Sequence, residues 1–94
     1  MSIITFNDDS LNRHKVSRLE VLQALSDPLV QAVLDGESNQ GNSTKIYVGY
    51  THSDRLLEIG IEYRKDEEHV FHADNARSHF AKIFHNWRKR TWQN

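Results

Sequence analysis

The stretch RLLEIGIEY, residues 55–63, decides the fold because its apolar and polar residues alternate along the chain. A period of two is that of a β-strand, whose successive side chains point to opposite faces of a sheet. One face carries Leu57, Ile59, Ile61 and Tyr63, and the other carries Leu56, Glu58, Gly60 and Glu62. The pattern predicts an antiparallel strand with one face in a core.

Three neighbouring segments also have strand character. KIYVGY, residues 45–50, alternates in the same way, and HVFHA, residues 69–73, follows the central strand after the polar turn RKDEE. LVQAVLD, residues 29–35, fits either a helix or a strand, but its place between Pro28 and Gly36 favours a strand. The polar residues 35–44 are predicted to form a mobile surface loop.

Two helices are predicted before these strands. Asn7 or Asp8 can cap a short helix that ends near His14. Ser17 can cap a second helix, and Glu20 three residues later completes a capping box. The chain therefore begins with two helices and continues into consecutive strands.

A third helix is predicted after the last strand. Asp74 is placed to cap it, and its apolar residues recur at steps of three and four. These residues are Ala76, Phe80, Ile83, Phe84 and Trp87. The fold expected is α+β: two N-terminal helices, an antiparallel sheet of three to four strands, and a C-terminal amphipathic helix packed on the sheet. One domain is expected over residues 1–90, with a tail at 91–94.

Composition and charge limit the classes of protein to which this chain can belong. The chain has 94 residues, no cysteine and no long apolar run, which predicts a small cytoplasmic protein without a membrane segment. Residues 1–74 carry all 13 acidic and seven of the 12 basic residues, and residues 75–94 carry five bases and no acid. The basic end suits nucleic acid or an acidic partner, and it equally suits the dipole of a solvated helix end.

The spacing of the six histidines is not that of metal ligands. His69 and His72 are three apart on one strand, which predicts opposite faces. His79 and His85 are six apart, about 240° around a helix. The spacing therefore predicts neither a metal site nor a cofactor.

A basic row is predicted on the last helix. Arg77, His85 and Arg88 fall on one side of it, beside the apolar stripe, and could bind phosphate oxygens while aromatic rings stack a base. A salt-bridged amphipathic helix lying on the sheet explains the same spacing.

His72 is a candidate acid or base, with Glu58 on the preceding strand as its partner. If Glu58 pairs directly with His72, Ile59 faces Phe71 in the core and the polar pair opens on the other face. A slip of one residue instead buries His72 opposite Ile59. A half-buried structural histidine is the alternative to a catalytic one.

Three stretches resemble, in order, the motifs of the BrnT-like toxins of the RelE-like ribonuclease superfamily. They are NRHKVSRLEVLQALSDP, VGYTHSDRLLEIGIEY and VFHADNARSHF, which together cover about residues 4–84. Matching positions are His14, Val16, Ser17, Arg55, Leu57, Glu58, His72, Ala73, Ala76 and Arg77. Lys15 stands where the family usually has glycine, and Asp74 and Asn75 replace a more hydrophobic or basic pair.

The resemblance implies an RNA-cleaving toxin of a type II toxin–antitoxin pair with a RelE-like fold, neutralised by a small antitoxin protein. On this hypothesis the chain is a metal-independent endoribonuclease. The catalytic candidates are Glu58, His72, Arg77 and His14. The candidates for RNA or phosphate binding are Arg55, Arg77, Lys82, His85 and Arg88.

The alternative hypothesis is a non-catalytic interaction or oligomerisation module with a toxin-like fold. An apolar edge of Phe84, Trp87 and Trp92, exposed in the absence of a partner, would favour it. Both hypotheses predict a homo- or hetero-oligomer.

Overall fold

The computed structural model describes residues 3–92, and it describes side chains as far as residue 89. It is an α+β fold with three helices and one five-stranded mixed sheet. In chain order the elements are β1 (Ile3–Phe6), α1 (Asp8–Arg13), α2 (Arg18–Leu25), β2 (Gln31–Glu37), β3 (Ser43–Tyr50), β4 (Leu56–Arg64), β5 (Glu67–Asn75) and α3 (Ser78–Trp92).

The strand order is β1-β5-β4-β3-β2. Strands β2 to β5 form the predicted antiparallel meander, and β1 adds to β5 in parallel. The predicted antiparallel strands are therefore present, but the prediction of three to four strands missed the fifth strand, β1, which is parallel. Strand β1 has only four residues, with Ile3 and Ile4 both exposed, so it lacks the alternation that identifies a strand in sequence.

The two faces of the sheet carry separate cores. Helices α1 and α2 pack on the face that bears Leu57, Ile59 and Ile61, which we call the α1–α2 face. Helix α3 packs on the other, the α3 face, where Phe80 and Phe84 contact β3. Strand β4 lies in the middle of the sheet and is buried on both faces. Even its acidic residues Glu58 and Glu62 are buried.

Strand β5 contains a bulge that changes the predicted register. His72 pairs with Gly60 and Val70 pairs with Ile61, so Phe71 is the extra residue. Glu58 pairs with Asp74 and Ile59 pairs with Ala73, so neither of the two registers considered for His72, opposite Glu58 or opposite Ile59, forms. Regular alternation does not predict the bulge, because Val70 and Ala73 face the same core although they are three positions apart.

The helix boundaries confirm two predictions and correct a third. Asn7 caps α1, and Ser17 with Glu20 forms the capping box of α2. Asp74 does not cap α3, because β5 continues through Asn75 and pairs with β4.

The apolar stripe of α3 is buried only in part. Phe84 is completely buried and Phe80 nearly so, whereas Ile83 is exposed. The predicted exposure of Phe84 was therefore wrong. Trp87 is half-buried, and the side chain of Trp92 lies outside the described residues, as does the tail at 93–94.

The loop between β2 and β3 is shorter than predicted. It comprises residues 38–42, because the strands extend to Glu37 and resume at Ser43. Ser38 and Asn42 hydrogen-bond each other through backbone and side chain, which closes the loop as a compact turn. Among the described helices, none is long and apolar enough to cross a membrane.

Candidate active site

A buried carboxylate, Glu58, is the centre of the site. It lies on β4, its side chain is 1% exposed, and both of its oxygens have partners. Oε1 accepts the backbone N–H of Arg77 at 2.8 Å, and Arg77 Nε donates to Oε1 at 3.0 Å and to Oε2 at 3.2 Å. His72 Nε2 lies 2.9 Å from Oε2. The bulge makes this contact diagonal across β4 and β5 rather than direct.

The pKa of Glu58 reflects two opposing effects. Burial raises the pKa, but hydrogen bonds from the Arg77 side chain and backbone and from His72 outweigh burial and hold it below its ordinary value. Glu58 is therefore a carboxylate at neutral pH. An ionised carboxylate only accepts hydrogen bonds, so His72 donates through Nε2–H and keeps the lone pair of its neutral ring on Nδ1.

A second histidine lies beside the first. His14 is the C-cap residue of α1, and its ring stands edge-on to that of His72 with centroids 5.7 Å apart. His14 Nδ1 is 3.3 Å from Oδ2 of Asp74. The side chains of His14 and His72 are 27% and 28% exposed. Two solvent-accessible imidazoles are thus each backed by a carboxylate.

The position of His14 depends on the shortness of β1. Strand β1 covers β5 only as far as Val70, where the N–H of Asn7 bonds to its carbonyl, and the chain then turns into α1. Helix α1 consequently lies along the remaining part of β5, and its end reaches Asp74.

Arg55 connects the end of α1 to α2 and to the end of β5. Its guanidinium donates to the carbonyl oxygens of Lys15 (2.8 Å) and His14 (3.1 Å), and its Nε donates to Oδ1 of Asn75 (2.8 Å). It also contacts the carboxylate of Glu20 at 3.3 Å. Since Nε and both terminal nitrogens already have partners, Arg55 is built to position His14 rather than to bind phosphate.

Lys15 adopts a left-handed backbone conformation, with a φ of 55°. Few residues other than glycine adopt this conformation without cost. It allows the chain to leave α1 sharply, so that His14 turns towards β5 while Val16 is buried in the α1–α2 core.

The predicted catalytic residues His14, Glu58, His72 and Arg77 come together at one corner of the sheet. Arg77 precedes α3, stacks on Phe80 with its guanidinium carbon 4.9 Å from the ring centre, and remains 60% exposed on its side chain. It can therefore hold Glu58 through Nε while its terminal nitrogens face solvent.

The predicted phosphate-binding row does not form one continuous surface. His85 and Arg88 flank Tyr50, and Arg88 lies about 16 Å along the helix from Arg77. Lys82 is exposed between them. Of the five candidates, Arg77 and Arg55 contact the histidine and carboxylate cluster in the described part of the chain, and of these two Arg77 has the more exposed side chain.

The sequence predicted Asp74 only as a helix cap and predicted no role for Asn75. Asp74 backs His14, and Asn75 binds Arg55. The sequence did contain a signal for the position of Asp74. It stands two positions after His72, and residues two apart lie on the same face if the strand continues.

The predicted opposition of His69 and His72 was also wrong. The bulge places both histidines on the α3 face, where His69 contacts Thr5 and His72 contacts Glu58. Among the described residues, no three histidine, aspartate or glutamate side chains are arranged to hold a metal ion.

Fold and site together define a class: a small α+β protein whose mixed sheet presents two histidine–carboxylate pairs and an arginine at one corner. No family model and no curated protein matches the chain. Membership of the BrnT-like family stays a prediction that rests on the sequence motifs.

Proposed function

We propose that this chain is a metal-independent endoribonuclease that cuts RNA by attack of a ribose 2′-hydroxyl on the adjacent phosphate. The observation that supports it is the pair of imidazoles 5.7 Å apart, each backed by a carboxylate, beside the exposed guanidinium of Arg77. Such a reaction needs one base, one acid and a cation for the charge on phosphorus.

His72 is the base in this proposal. Its Nδ1 takes the proton of the 2′-hydroxyl while Nε2–H stays on Glu58, whose negative charge stabilises the imidazolium that forms. Glu58 itself is too buried, and too fully hydrogen-bonded, to reach a substrate. It is a positioning residue in this mechanism.

His14 is the acid. With Nδ1 directed to Asp74, the Nε2–H of its imidazolium donates a proton to the departing 5′-oxygen. The terminal nitrogens of Arg77 donate to the non-bridging phosphate oxygens. The new bond joins O2′ to phosphorus as the bond to O5′ breaks, so the products are a 2′,3′-cyclic phosphate and a 5′-hydroxyl.

The test is cleavage of a defined RNA by the purified chain with a chelator present. We expect His72→Ala and His14→Ala each to lower the rate by about 10²- to 10⁴-fold. His52→Ala is the matched control, since His52 is exposed in the turn between β3 and β4 and should have no effect. A 2′-deoxy substitution at the cleaved nucleotide should block the reaction. Intact RNA at high protein concentration, both free and on ribosomes, would overturn the proposal.

The toxin role extends this proposal. We propose a RelE-like fold and neutralisation by a small antitoxin, as the family resemblance implies. Induced expression of the chain should arrest growth, and the His72→Ala variant should not. Arrest that persists in the variant would contradict ribonuclease toxicity.

A second candidate, a protein-interaction module, is favoured by exposed apolar side chains. Leu19 is 64% and Leu22 is 40% exposed on one side of α2, and Ile3 is 62% exposed on the edge strand β1. A strand edge and an apolar helix side are surfaces that partner chains bind. A stable monomer in size-exclusion chromatography would count against this candidate.

A further inference from the structure

A groove of about 370 Å³ lies on the α3 face of the sheet, beyond the histidine pair. Its lining combines one aromatic ring with polar side chains from the β2–β3 turn and from β3 and β4. The lining residues are Glu37, Ser38, Asn39, Gln40, Thr44, Glu62 and Phe71. The volume is at the lower end of the range for small-molecule sites, about 300–1,000 Å³.

The bulge in β5 aims Phe71 into this groove. Because Phe71 is the extra residue, it lies on the same face as His72, its neighbour, instead of in the α1–α2 core. Its ring lies over Gly60, where an added methyl group would be 2.6 Å from Cζ. The ring therefore lies directly on the backbone of β4 and leaves a half-buried aromatic surface outside the core.

Glu62 holds in place the wall of the groove that lies opposite Phe71. This carboxylate, on a residue that is 5% exposed, accepts from Nδ2 of Asn42 at 2.9 Å and from Nε of Arg64 at 3.0 Å. The bond to Asn42 ties the 38–42 turn to β4. The exposed amides of Asn39 and Gln40 therefore stand on a wall that is already formed.

The charge along the α3 face changes from one end to the other. Arg77 and the two histidines lie at the corner, which suits phosphate, whereas Glu37 and Glu62 lie in the groove, which suits hydrogen-bond donors. Gly60, under Phe71, is two residues from Glu58, about 7 Å along β4. A base attached to a ribose at the histidine pair is within reach of the Phe71 ring.

We propose that Phe71 and the 38–42 turn bind a nucleobase of the RNA whose phosphate is held at the histidine pair. Phe71 stacks on the base, and the Asn39 and Gln40 amides contact its polar edge. This subsite rests on the proposed function and adds the part of the molecule that selects the nucleotide.

The experiment measures binding of four 2′-O-methyl tetranucleotides, of A, C, G and U, to the full chain by amide chemical shifts. These probes cannot be cleaved through the 2′-oxygen. We expect one or two of them to move the amides of residues 38–42 and of Phe71, and to bind Phe71→Leu about 5- to 150-fold more weakly.

Phe6→Leu is the matched control, because Phe6 is a half-buried aromatic with an arginine stacked on it, on the α1–α2 face. It should bind the probes like the parent chain. If Phe71→Leu does not fold, the exposed double variant Asn39→Ala, Gln40→Ala tests the same subsite, with loss of preference among the four probes expected.

The two proposals fail differently. Probes that bind at Phe71 while RNA stays uncut would overturn the ribonuclease and support the subsite. Cleavage that needs His72 but keeps its base preference and affinity in Phe71→Leu and in the double variant would overturn the subsite alone.

Discussion

The two faces of the sheet are built from the same strands and differ in how they are covered. On the α1–α2 face, helix backbone packs directly on strand backbone, and the buried residues are apolar. On the α3 face, the helix contacts β2 and β3, and the carboxylates of Glu58 and Glu62 on β4 are buried and bonded to polar side chains. A helix that covers part of a sheet leaves its other strands available for binding and chemistry.

Two glycines show the same difference. At Gly49, on the α1–α2 face, an added methyl group would lie 2.2 Å from the carbonyl oxygen of Ala24, a fixed backbone atom. At Gly60, on the α3 face, it would meet the ring of Phe71, a side chain that can turn. The first face is rigid because backbone meets backbone, and the second can adjust.

The largest effect is expected for Gly49→Ala. The methyl group must push α2 away from β3, so we expect a loss of about 3 kcal/mol in the free energy of unfolding, measured by urea denaturation. Gly60→Ala is the matched control and should cost about 1 kcal/mol, because Phe71 can move. Equal losses at the two sites would contradict the difference between the faces.

Glu58→Gln should lower stability by about 1–3 kcal/mol, since hydrogen bonds to a charged group are lost from a buried position. Its effect on RNA cleavage should be larger, about 100-fold in kcat with little change in KM, because His72 loses the carboxylate that orients it. Glu68→Gln, in the far half of β5, is the control and should leave the rate unchanged. A variant that is destabilised yet fully active would remove Glu58 from the mechanism.

Acidification should remove the stabilisation that ionised Glu62 gives to the α3 face. Hydrogen bonds from Asn42 and Ser38, together with Arg64, lower the pKa of Glu62 to about 2. The unfolded chain binds this proton near the ordinary value of 4.5, so between these pH values the unfolded state holds more protons. The stabilisation is therefore complete above about pH 4.5 and is lost as pH falls towards 2.

The measurement is urea denaturation at pH 6 and pH 3. Glu62→Gln should lose less stability than the parent chain over this interval. The control Glu37→Gln removes an exposed carboxylate next to the same turn and should behave like the parent. An unchanged pH dependence in Glu62→Gln would show that the ionised carboxylate adds nothing to the fold.

The smallest effect is expected for Lys15→Gly. Glycine removes the cost of the left-handed conformation and increases the entropy of the unfolded chain, for a net gain of about 0.5–1 kcal/mol in thermal or urea unfolding. Lys82→Gly, inside α3, should lose about 1 kcal/mol instead. Destabilisation by Lys15→Gly would mean that the lysine side chain holds this corner.

Much of the site was predictable from local sequence. The glutamate of RLLEIGIEY and the histidine and arginine of VFHADNARSHF do meet, as their motifs suggested. The diagonal register of the contact between Glu58 and His72 was not predictable, because the bulge at Phe71 places both Val70 and Ala73 in the core. Alternation specifies faces only while the pairing stays regular.

Short-range physics in the sequence determined the caps of α1 and α2, the four antiparallel strands and the two faces of β4, since each depends on neighbouring residues along the chain. Tertiary structure alone decided that β1 joins in parallel, that β5 bulges, and that His14 reaches Asp74. The first and the last of these features join residues 60 or more positions apart, and the geometry of all three follows from which surfaces pack together.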